Sequence, residues 1–185
     1  MTTQTGETSR RDNPIVARYR SLAEAIRSSI SDVPPMWQAA PPAARDAYQA
    51  KVDRWHALMS ELYDPLYAAR DAVIHDDASE RDKLICFLEA DVYCHRSGYF
   101  KVDAIRALTR QDLIGLERQR LSRVLLAVVA GPDRREFRAY ATLARRLGQP
   151  HLEAELRRRL SSDDSRTRRH ASWVLDGLSR DIPQP

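Results

Sequence analysis

The chain has 185 residues, 43% of them hydrophobic and 30% charged, which is long enough to bury a substantial core. No apolar run reaches the roughly 18 residues a membrane span needs, so a transmembrane helix is excluded. The net charge of +4 hides an asymmetry: residues 1–92 carry 11 Lys and Arg against 15 Asp and Glu, the remainder 19 against 11. That polarity favours an acidic partner at the C-terminal half.

Residues 1–12 are polar, rich in Thr and Ser, and lack the apolar stretch of a secretory signal, so they read as a disordered leader. Asn13-Pro14 is a cap followed by a first-turn proline. Ile15, Tyr19, Leu22, Ile26 and Ile30 then form a helical stripe ending before Pro34-Pro35, and 36–42 is a proline-rich connector. Tyr48, Val52, Trp55, Met59, Leu62, Leu66, Ala69 and Val73 follow at heptad spacing. This seam predicts a long helix packed against the first, a helical hairpin over 13–77 whose second arm is bent or interrupted at Pro65.

Beyond 79 the pattern changes to shorter helices. Ser79 and Asp82 form a capping-box pattern ahead of Leu84, Ile85 and Leu88. Cys86 and Cys94 are placed on that one helix, roughly 12 Å apart and too far for a disulfide. Two unpaired cysteines point to a reducing, cytoplasmic setting. A break at Ser97-Gly98 precedes a helix over 99–109, and the next, over 112–130, is apolar nearly all round at its end. Gly131-Pro132 stops it. A helix over 134–147 ends at Gly148, a short one carries Leu152, Leu156 and Leu160, and the last follows Asp163-Asp164. Strand signals are nearly absent, so the fold class is all-α. Residues 181–185 form a tail.

The 134–147 helix is the most informative element. At about 100° per residue, Phe137, Tyr140, Ala141, Leu143, Ala144 and Leu147 fall in one arc of about 160°. Arg134, Arg135, Arg138, Arg145 and Arg146 fall in a separate arc of about 120° that holds no acid. In the following helix, by contrast, Glu153 and Glu155 each stand four residues before an arginine. The arginine face is a solvated surface, pairs with the acidic half of the chain, or meets an anionic partner. On the last helix Trp173 lies away from Ala171, Val174, Leu175 and Leu178, between Arg166, Arg169 and His170. It is placed to stack on a base, to sit under Arg169, or to be covered by another subunit.

A second candidate is the turn over 89–101, which gathers Asp91, His95, Arg96, Tyr99 and Lys101 around Gly98. The plainer alternative makes Gly98 a helix C-cap with Tyr99 and Phe100 as core anchors. Asp53/His56, Asp71/His75 and Asp91/His95 are spaced to share a helix face, but no Glu-x-x-His occurs and no metal site is expected. There is no phosphate-cradling glycine loop and no nucleophile elbow, so neither a cofactor nor catalysis is expected.

The stretch from Leu160 to Leu178, with Asp163 or Asp164 in the turn and Arg168 or Arg169 beyond it, resembles the second helix of a HEAT-type repeat. Thr167 departs from the usual aliphatic residue there, and the likeness is loose over 79–180. The resemblance implies a short helical repeat array after the hairpin, and a binding scaffold rather than an enzyme. The sequence therefore predicts a scaffold docking an acidic protein through Arg134, Arg135, Arg138, Arg145, Arg146, Arg166, Arg169 and Trp173. Nucleic acid is the alternative partner, and a homodimer stays open. A third reading, resting on fold alone, resembles HEAT-like DNA glycosylases with Trp173 and Asp176 lining a pocket.

Overall fold

The computed structural model describes residues 13–31 and 33–179, and every regular element among them is helical. The expected leader and tail lie outside the described residues. Eight α-helices follow one another: α1 Pro14–Ile30, α2 Pro42–Ile74, α3 Arg81–Ala90, α4 Ser97–Thr109, α5 Gly115–Val129, α6 Phe137–Leu147, α7 Pro150–Arg159 and α8 Ser165–Ser179. Short 3-10 turns at Trp37–Ala39 and Ala78–Glu80 precede α2 and α3.

The helices pack in two layers. α1, α3, α5 and α7 touch in succession, as do α2, α4, α6 and α8, and each odd helix packs on the even helix after it. The hairpin of α1 and α2 therefore joins the later helices as each later pair joins the one before. One contiguous core runs through all eight helices. Its aromatic centre holds Tyr19, Tyr63, Phe87 and Phe100, with Phe87 and Phe100 edge to face at 5.1 Å. Burial there pushes the Tyr19 hydroxyl up to about 12.

Local chemistry explains the element boundaries. The Asn13 side chain accepts from the Ile15 and Val16 amides, with Pro14 at the first helical position. α1 buries Val16, Tyr19, Leu22, Ala23 and Ile26, a face rotated slightly from the predicted stripe, with Ile15 and Ile30 half-buried. α2 is continuous through Pro65, and Pro42 opens it rather than closing the connector. Pro65 and Glu61, whose carbonyl loses its amide partner, are both exposed, so solvent can satisfy that group. The turn before α3 is capped by Asp77, which accepts from the Ser79 amide and hydroxyl, rather than by a Ser79–Asp82 box.

Asp82 instead meets Arg120, which also forks onto Glu89 at 2.7 and 3.0 Å and ties α5 to α3. Cys94 lies beyond the end of α3, so the two cysteines do not share a helix; both are free thiols. Burial raises the pKa of each. Among the described residues no helix is long and apolar enough to cross a membrane.

Candidate functional site

A groove of about 630 Å³ runs between α6 and α8. α6 buries Phe137, Tyr140, Leu143, Ala144 and Leu147, which turns Arg138 and Arg145 outward. Arg134, Arg135 and Glu136 precede the helix in a turn instead of forming its first turn as expected. Gly148 ends it at φ 54, a left-handed position that suits glycine. α8 is fixed at its start by Asp164, which accepts from the Arg166 and Thr167 amides and the Thr167 hydroxyl. Arg168 donates to the Ser162 and Asp163 carbonyls of the same turn. Ala171 and Val174 then go inward and leave Trp173 53% exposed on the groove wall. Ala141, Thr142 and Gly177 make its floor low, with open space where a Gly177 side chain would stand.

The structure sorts the arginines into two sets. Arg134 grips Asp91 through both terminal nitrogens, Nη2 at 2.8 Å from Oδ2. Arg146 donates to Asp112 at 3.0 Å and to the Gln111 carbonyl, away from the groove. Arg169 pairs with Asp133 at 2.6 Å and lies over the Trp173 ring at 5.5 Å. His170, stacked beside Phe137, sets Nε2 2.8 Å from the same carboxylate. These neighbours hold the Asp133 carboxyl below its usual range, the Arg169 hydrogen bond most of all. Arg135, Arg138 and Arg145 have no ion pair or side-chain hydrogen bond among the described residues, and all three line the groove. Arg166 is also unpaired but stands on the first turn of α8, outside it.

Of the eight residues predicted to meet a partner, Arg134, Arg135, Arg138, Arg145 and Trp173 converge. Among the described residues the acidic half reaches this set only through Asp91, and α2 makes no contact with α6 or α8.

A second concavity of about 890 Å³ takes in Asp91, His95, Arg96, Tyr99 and Lys101, so the predicted turn is brought together, and it shares Arg134 and Arg135 with the first. Its details differ from the sequence reading. Residues 91–96 form an irregular link in which Asp91 and Arg96 take φ of 48° and 63°, so Asp91 and His95 do not share a helix face. Gly98 is inside α4, neither hinge nor cap; a Cβ there would stand 3.2 Å from Glu136 Oε2, so glycine permits that approach. Tyr99 is 73% exposed while Phe100 is buried. Lys101 is 1% exposed and held by Asp91 at 2.7 Å and Glu136 at 3.7 Å, which makes it structural rather than available to a ligand. Burial acts to raise the Asp91 pKa, but the Arg134 hydrogen bond and the Lys101 charge outweigh it and the carboxyl is held low.

A third, smaller concavity of about 260 Å³ lies along α2 at Trp55, His56, Met59, Tyr63 and Tyr67, and shares His95 and Arg96 with the second. The heptad spacing places Trp55 and Met59 wholly in the hairpin seam. The signal that could have found this site is length: α1 has 17 residues and α2 has 33. Among the described residues no three His, Cys, Asp or Glu side chains come together as a metal site. The arrangement suits non-covalent recognition of negative charge beside an aromatic ring. The chain matches no protein-family model, and no curated protein and no solved structure is significantly similar to it.

Proposed function

We propose that this protein is a non-enzymatic helical scaffold whose α6–α8 groove docks an acidic protein. The observation that carries the reading is Arg135, Arg138 and Arg145 unpaired in one groove beside an exposed Trp173. Unpaired guanidiniums with a carboxylate-matching fork favour a partner that brings acids. We read the scaffold as HEAT-like. The supports are the succession of helix pairs and the turn before α8, closed by Asp164 and Arg168.

Mixed charge favours protein over nucleic acid. Asp176 lines the groove itself, where a continuous phosphate track would meet repulsion, whereas a protein partner can set a basic or neutral residue opposite it. Trp173 and Asp176 do share the groove, as the glycosylase likeness expects. Arg169 lies over one face of the Trp173 ring, so at most one face is left to stack on a base.

The test is fluorescence anisotropy with a labelled Glu-rich helical peptide, and with random-sequence duplex and single-stranded DNA and RNA, across a salt series. The acidic peptide is expected to bind more tightly than the nucleic acids near 0.15 M salt. Tighter binding of DNA or RNA there, with a steep salt slope, would replace this reading with the nucleic-acid one.

A further inference from the structure

We propose that the acidic partner is a second copy of this chain, which lays its α2 into the α6–α8 groove; the inference rests on the acidic-protein reading above. Around α2, Asp46, Ala50, Asp53, Ala57, Ser60, Asp64, Ala68 and Asp71 fall within an arc of about 80°. Every one of them is exposed, and the arc holds no Lys or Arg. Asp46 and Asp64 have no partner among the described residues. Among the described residues Asp53 accepts only from Gln49, and Asp71 from its neighbour Arg70. Asp71 is the one member of the stripe that, among the described residues, meets a cation of its own chain, Arg70, and α2 touches neither α6 nor α8.

The two surfaces match in pitch, sign and relief. Asp46 to Asp53, Asp64 to Asp71 and Arg138 to Arg145 are each seven residues apart, a rise of about 10 Å, so charges two turns apart on one helix face charges two turns apart on the other. Alanines between the aspartates meet a floor of Ala141, Thr142 and Gly177, and small residues on both sides let helix axes approach to about 8 Å. The contact joins two different patches, so it either closes around a twofold axis with two such grooves filled or continues from copy to copy.

The experiment is sedimentation velocity on the full chain at low and high salt, with two charge-reversed variants. One carries Arg138→Glu and Arg145→Glu, the other Asp46→Lys, Asp53→Lys and Asp64→Lys; all five sites are exposed, and circular dichroism confirms the fold of each. Wild type is expected to self-associate at low salt and to dissociate at high salt. Each variant alone should associate about tenfold or more weakly, because like charges then face one another. An equimolar mixture of the two should associate again, since each reversed surface finds its complement. A wild type that stays monomeric, or a mixture that stays monomeric, overturns the proposal.

Acidic-peptide anisotropy on the same samples separates the two readings. A monomeric wild type that still binds the peptide through Arg138 and Arg145 refutes self-recognition alone. A monomeric wild type that does not bind it refutes the acidic-partner reading as well.

Discussion

Asp91 shows how one side chain can serve structure where the sequence suggests a ligand site. It ends α3 in the left-handed region, takes Arg134 from the turn before α6, and neutralises the buried Lys101 of α4. Because its folded pKa is lowered, the ion-paired carboxylate stabilises the fold above the ordinary carboxylate range, about pH 4, and that contribution is lost as pH falls through the folded value. Asp91→Asn keeps a residue that tolerates a positive φ but removes the charge. It is expected to lower stability near neutral pH by about 2 kcal/mol, less than a fully buried pair because Asp91 is 38% exposed. Urea unfolding at several pH values checks this: the gap between wild type and variant should narrow on acidification. Which arginines are paired was not legible in the sequence. A helical wheel fixes the face a residue occupies, whereas the partners of Arg134 and Arg146 are 43 and 34 positions away.

At the scale of elements, the helices themselves were legible because apolar spacing, Asn13-Pro14, Gly131-Pro132 and Gly148 act within one turn of where they stand. The chain turns at Asp91 and Arg96, non-glycine residues in left-handed conformations, Asp91 held there by Arg134 and Lys101, while the glycine that looked like the break, Gly98, is helical. Pro65 does not interrupt α2, because it sits on the exposed side of a helix held by packing on both sides of it. Where a local signal does decide, its loss should be measurable. Asn13→Ala removes the acceptor for two amides of α1 and is expected to cost about 1 kcal/mol of stability, read as a lower urea midpoint with an unchanged slope.

For the whole molecule, the acidic and basic halves visible in the sequence do not simply neutralise each other. Arg134, Arg146 and Arg169 are used between helices, while Arg135, Arg138 and Arg145 and the α2 aspartates remain turned to solvent at different helices of the same layer. The groove, with Thr142, Asp176 and Gly177 beside the arginines, exists only once α8 packs on α6. That is why the sequence showed a basic face but not a cleft.

On the proposed reading the unpaired arginines, not basic charge in general, make the docking site. The direct measurement is the affinity of the Glu-rich peptide for Arg135→Gln/Arg138→Gln/Arg145→Gln set beside Arg146→Gln. The triple variant should lose about tenfold or more in affinity, while Arg146→Gln, whose guanidinium is committed to Asp112 away from the groove, should stay within about twofold of wild type. Equal losses in both, or none in the triple variant, would rule out a docking site made by these three arginines.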